Sequence, residues 1–119
     1  MARTFVDFPV YKKSLEFVEK FEALCGQIKW GQFYFLKDQL RRAASSIVLN
    51  IAEGSGKWSK KDKANYYRMS QASANECLAA VDLLKIYRLV GPERFDDLKG
   101  ILRDIALDLH ALKKSIESR

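Results

Sequence analysis

Histidine occurs once in these 119 residues, at His110, and cysteine only twice, at Cys25 and Cys77. A single imidazole removes HExxH zinc sites, Cys2His2 fingers and the Glu-x-x-His pairs of di-iron bundles together. The two cysteines form no CxxC pair, and a helical chain of this size needs no disulfide. Both are expected reduced, in a cytoplasmic protein. Proline is scarce at two residues and glycine modest at six, while 30% of the residues are charged. That balance excludes collagen, a low-complexity linker and a disordered tail. No apolar run approaches the ~18–20 residues that span a bilayer. The stretch from Met1 to Asp7 places an acid where a signal peptide needs its apolar core, so neither membrane insertion nor export is expected.

What is present is a mildly basic chain with enough apolar residues for one core. The hydrophobic fraction is 48% and the formal net charge +6. A single domain over residues 1–119 is expected, burying roughly two-thirds of its unfolded surface. Periodicity predicts four helices, over about 9–28, 33–53, 59–90 and 93–117. The first opens at Pro9 and sets Tyr11, Leu15, Val18, Phe21, Leu24, Cys25 and Ile28 at spacings of three and four. The second carries Leu36, Leu40, Ala43, Ala44, Ile47 and Ile51 on one face and stops at Gly54-Ser55-Gly56. Ser59-Lys60-Lys61-Asp62 matches a capping box for the third. Gly91-Pro92 separates it from the fourth, whose Leu98, Leu102, Ile105, Leu109, Leu112 and Ile116 repeat 4-3-4-3-4. No period-two alternation survives, so the fold class is all-α, an up-down-up-down antiparallel four-helix bundle.

At about thirty residues the third helix would be ~45 Å long and would overhang its partners. Its apolar arc is also wide. One stripe runs through Tyr66, Met69, Ser73, Cys77, Ala80, Leu84 and Tyr87; a second runs through Ala72, Ala79, Leu83, Ile86 and Val90. Burial inside its own bundle accounts for both, and so does a neighbouring copy against the second.

Two groups of polar residues stand out. Gln39, Arg42, Ser46, Asn50 and Glu53 share an arc of roughly 80° beside the apolar face of the second helix. Glu53, in the last turn, opposes the helix dipole by ~0.3–1 kcal/mol. Its candidate partner on the third helix is Glu76, near Ser73. A polar network between helices or subunits explains these residues better than a carboxylate pair for acid–base work, because no histidine and no third acid complete a site. No catalytic residue, metal or cofactor is expected.

The second group follows Gly54. Gly54-Ser55-Gly56-Lys57 is not a phosphate loop, since Ile51 and Trp58 stand where glycine and Ser/Thr are required and a helix precedes it. From Gly54 to Arg68 there are nonetheless five bases, Lys57, Lys60, Lys61, Lys63 and Arg68, against the single acid Asp62. With Trp58 among them they could hold phosphates and stack a base, with Arg41 and Arg42 as secondary candidates. A solvated first turn is the plainer account.

The run from Gln39 to Lys57, centred on Asn50-Ile51-Ala52-Glu53-Gly54, resembles the signature of a bacterial family of small four-helix-bundle proteins. These are encoded by intervening sequences in 23S rRNA genes and are often labelled S23 ribosomal protein, a label that reflects gene location. Ala72-Ser73-Ala74-Asn75-Glu76 resembles the family's second block, which usually reads G-S-x-x-E. Lys57 stands where arginine is common, Ala72 where glycine is, and Lys29-Trp30-Gly31 replaces a turn often containing Phe-Pro. The resemblance implies a barrel-like homopentamer with a positive surface or channel, and no enzymatic activity. It also implies kinship with retroelement accessory proteins thought to bind nucleic acid and a reverse transcriptase. Its shared residues fall on Gln39, Arg42, Ser46, Asn50, Glu53, Gly54, Ser73 and Glu76. The expected function is therefore a homo-oligomeric RNA- or DNA-binding protein. The alternative is an oligomeric scaffold for a protein partner.

Overall fold

The computed structural model of the chain describes residues 4–118; the reading of Met1 to Arg3 lies outside them. A 3-10 turn, Phe5–Asp7, leads into α1 (Pro9–Cys25); a second, Gly31–Phe33, leads into α2 (Tyr34–Ser55). The helices α3 (Lys60–Ile86) and α4 (Pro92–Glu117) follow, and no strand occurs among the described residues. Each helix packs against its neighbours in sequence, and α4 closes back on α1, which leaves α1–α3 and α2–α4 as the diagonals. The result is an antiparallel bundle measuring 46 × 23 × 18 Å.

The expected apolar faces of α2 and α4 are the observed ones: Leu36, Leu40, Ile47, Ile51, Leu102, Ile105 and Leu109 have no exposed surface. Each such side chain contributes roughly 1.5–3 kcal/mol by leaving water. In α1 the face is rotated from the expected one. Val10, Ser14, Phe17 and Phe21 point inward and Leu15 is exposed. The helix also stops at Cys25 rather than residue 28, because Trp30 folds back as a plug. Its indole N–H donates to the Cys25 carbonyl at 3.1 Å and its ring meets Phe21 edge-on. Gly31, at φ +48°, makes the turn that returns the chain to α2.

The third helix departs furthest from expectation. Its buried stripe runs through Tyr67, Ser70, Ala74, Cys77, Val81 and Leu84, with Ala80 beside it. Of the first expected stripe, Cys77, Ala80 and Leu84 are buried, whereas Tyr66, Ser73 and Tyr87 are only half-buried and Met69 is exposed, so its first half lies at the edge of the core. Ala72, Ala79 and Ile86, from the second, lie outside the bundle. The helix ends at Ile86, four residues early. Arg88 takes a left-handed conformation, φ 58°, and the Leu89 N–H returns to the Leu84 carbonyl at 2.9 Å. At 27 residues, about 40 Å, α3 is matched by the 26 residues of α4 and overhangs only α1 and α2.

Cross-helix ion pairs set the alignment. Lys13–Asp108 and Lys20–Asp97 join α1 to α4, and Arg41–Glu22 joins α2 to α1. Lys99, buried on α4, reaches Asp82 of α3 at 2.7 Å. At the far end Phe33 stacks on Tyr87 with centroids 4.4 Å apart.

Candidate functional site

Gly54 lets α2 and α3 converge. A Cβ at this position would come within 2.9 Å of both the Tyr66 Cβ and the Tyr67 ring, closer than side chains tolerate. Ser55 donates to the Ala52 carbonyl, and the Lys57 N–H to the Gly54 carbonyl, which closes the last turn. Ser59 then caps α3: the Asp62 N–H donates to its hydroxyl at 3.0 Å. Between these anchors, Trp58 is 100% exposed. An indole held wholly in water forgoes ~150–250 Å2 of apolar burial, so the loop presents it rather than stores it.

The surrounding cations divide into three kinds. Lys57 is held in place, 3.4 Å from Glu53 and 5.2 Å from the centre of the Tyr66 ring. Lys63 turns inward and donates to the Ser55 carbonyl at 2.9 Å. Lys60, Lys61 and Arg68 are exposed, Arg68 donating to the Asn65 side chain. Positive side chains at the positive end of a helix dipole are held there against a local cost. Between α3 and α4 lies a groove of about 760 Å3 lined by Lys60, Lys61, Asn65, Arg68, Lys113 and Glu117. Lys113 is a cation that sequence reasoning missed. The antiparallel order of α3 and α4 was its available signal, since it sets the last turn of one beside the first turn of the other.

Arg41 is not part of this site. Its guanidinium grips both carboxylate oxygens of Glu22, 2.8–3.0 Å away. It sits fourteen residues before Ser55, about 21 Å along the helix. Arg42 is exposed on another face of α2 and has no ion pair among the described residues.

The polar stripe resolves into two parts. Asn50 donates to both the carbonyl and the hydroxyl of Ser46 at 2.9 Å, and Ser73 of α3 donates to the same hydroxyl at 2.8 Å. These three tie the helices together. The expected pairing of Glu53 with Glu76 does not occur. Ser46 lies opposite Ser73 and Gly54 opposite Tyr66, which sets Glu76 ten residues, about 15 Å, from the level of Glu53. Glu53 finds its counter-charge in Lys57, one turn on. Gln39, Arg42 and Glu76 make no hydrogen bond or ion pair within the described residues and border an outward face that also carries Phe35 (55% exposed), Leu49 (66%) and Met69.

Burial pushes the Cys25 thiol up to about 11 and the Cys77 thiol up to about 12. Neither is a nucleophile at neutral pH. Among the described residues no three His, Cys, Asp or Glu side chains gather as metal ligands, and no helix is long and apolar enough to cross a membrane.

Comparison with known proteins agrees with this fold. The family model described as 23S rRNA-intervening sequence protein matches residues 6–111. The fold is similar to the crystal structure of a protein of unknown function from the S23 ribosomal protein family of Bacteroides thetaiotaomicron, with TM-score 0.81 and 24% identity. That likeness covers 88% of this chain and 98% of the other. No curated protein matches the sequence.

Proposed function

The chain belongs to the 23S rRNA-intervening sequence protein family, and from that premise we propose that it is a homo-oligomeric, non-catalytic protein that binds single-stranded nucleic acid, RNA foremost. The observation that carries the reading is the loop after Gly54: a fully exposed indole set among Lys57, Lys60, Lys61 and Arg68. Cations of this kind hold phosphates without reading sequence, and the indole supplies a stacking surface for any base. Lys113 of α4 borders the same surface, paired with Glu117 at 3.5 Å.

Self-association rests on a different face. Phe35, Leu49 and Met69 expose apolar surface on the α2/α3 side, beside Arg42 and Glu76. Apolar side chains bordered by unpaired charges of opposite sign suit a contact in which one copy's Arg42 meets another's Glu76. The homopentamer implied by the family resemblance would bring several basic loops onto one particle, turning a modest charge into a multivalent one.

Light scattering tests both parts at once, with and without single-stranded RNA, at low and at physiological salt. The reading predicts a protein mass near five times the 13.7 kDa of one chain, rising further with RNA at low salt. A monomer, or a particle that ignores RNA at both salts, would contradict it. An oligomer that ignores RNA but captures a protein partner resistant to nuclease would favour the scaffold.

A further inference from the structure

The end of the bundle that carries the basic loop also holds a cleft of about 1080 Å3. Its apolar walls are Phe5 and Phe8 before and at the start of α1, Tyr67 of α3, and Leu112 and Ile116 of α4. Voids in well-packed interiors rarely exceed a water molecule, whereas ligand sites measure roughly 300–1,000 Å3 and combine apolar walls with a few polar groups. This cleft is open to solvent and slightly above that range, and it combines such walls with Lys13, Lys63 and Asp108.

Its polar groups indicate what fits. Lys13 and Asp108, paired at 2.9 Å and both partly exposed, stand on the lining. Together they offer a donor and an acceptor side by side, the complement of the edge of a heteroaromatic base. Lys63 lines the cleft beside Ser55, to whose carbonyl it donates, and belongs to the basic run as well. It therefore sits where the cleft meets the phosphate-binding surface. Two half-buried aromatic rings, Phe5 and Phe8, supply flat contact area in front of the buried Tyr67, and Phe5 is steadied edge-on by Tyr11 with centroids 5.0 Å apart.

We propose that this cleft takes one unstacked base of a nucleic acid strand whose backbone runs along Lys57, Lys60 and Lys61, with Lys63 beside the phosphate at the cleft's mouth. The proposal rests on the nucleic-acid reading above and adds a pocket to it. Trp58 then stacks a base outside the cleft while the pocket holds another. A base paired within a duplex does not reach the pocket, so duplexes bind through phosphates alone.

The test compares a fluorescently labelled single-stranded RNA with an abasic strand of the same length, by anisotropy at fixed salt. The native protein is expected to prefer the base-bearing strand about tenfold, a factor within what one or two stacked bases supply. Ala111→Trp, at an exposed position on the cleft lining, should fill the pocket. The preference then falls to about threefold, the part due to Trp58, while abasic binding and the helical melting curve stay unchanged. Phe5→Leu, which keeps apolar volume but removes a ring, should move the preference the same way if Ala111→Trp fails to fold. Equal binding of the two strands by the native protein, or a full preference surviving in both variants, would overturn the cleft and leave the nucleic-acid reading standing. If neither strand binds, both fall.

Discussion

At Gly54 a missing side chain decides how closely two helices can pack. Adding one methyl group there must displace the Tyr66 Cβ or the Tyr67 ring. Overpacking of this kind costs about 1–3 kcal/mol, so Gly54→Ala should lower the urea midpoint by a corresponding amount; an unchanged midpoint would mean that the helices can part without penalty. Arg88 presents the opposite case. It holds a left-handed conformation that glycine adopts freely, and Arg88→Gly should stabilise the chain by roughly 1 kcal/mol in the same titration. Glu22 gives a pH signature. The Arg41 hydrogen bonds hold its carboxyl below the ordinary 4.5. A carboxylate whose folded value is lowered stabilises the fold above 4.5 and loses that contribution as pH falls through the folded value. Arg41→Ala should therefore flatten the fall of Tm below pH 4.5, modestly, because the pair is part-exposed.

Helix by helix, what could be read from sequence depended on which neighbours decided the outcome. The faces of α2 and α4 were legible because Leu, Ile and Ala fill nearly all their core positions, Gly54 and Lys99 being the exceptions, and little else competes. The face of α1 was not, because Leu15 and Phe17 both fit a helical stripe and only packing against α2 and α4 selects Phe17. In α3 the true core includes Ser70, whose hydroxyl donates to the Ile47 carbonyl of α2 at 2.8 Å. A buried serine satisfied across a helix interface leaves no apolar mark in the sequence. The α1–α2 connection was equally hidden, since its stability depends on Trp30 reaching back to Cys25. Trp30→Ala should cost about 3–5 kcal/mol by removing a buried indole. It should also speed hydrogen exchange in the last turn of α1 relative to α2; uniform acceleration would argue against a local plug. The position of the basic loop was legible, because charge runs and glycine punctuation are local features; that Lys63 turns inward to the Ser55 carbonyl was not. Lys113 could have been found from the antiparallel order of α3 and α4, whereas Arg41 and the Glu53–Glu76 spacing required the register, which only the packed bundle supplies.

For the molecule as a whole, the distribution of charge matters more than its sum. The formal charge is +6, yet residues 93–117 carry five bases against six acids, while Gly54 to Arg68 carries five bases against one. The positive field therefore lies at the α2–α3 end of the bundle, where Trp58 stands in water and the cleft opens. The most direct test of this account is the salt dependence of single-stranded RNA binding, measured by anisotropy from low to physiological salt. It should be measured for the native protein and for a Lys57→Ala, Lys60→Ala, Lys61→Ala variant. The account predicts that log K falls linearly with log salt by about 0.7 per phosphate contacted, and that the variant's slope is shallower by about 2 with weaker binding throughout. Binding that ignores salt, or a variant that matches the native slope and affinity, would contradict it.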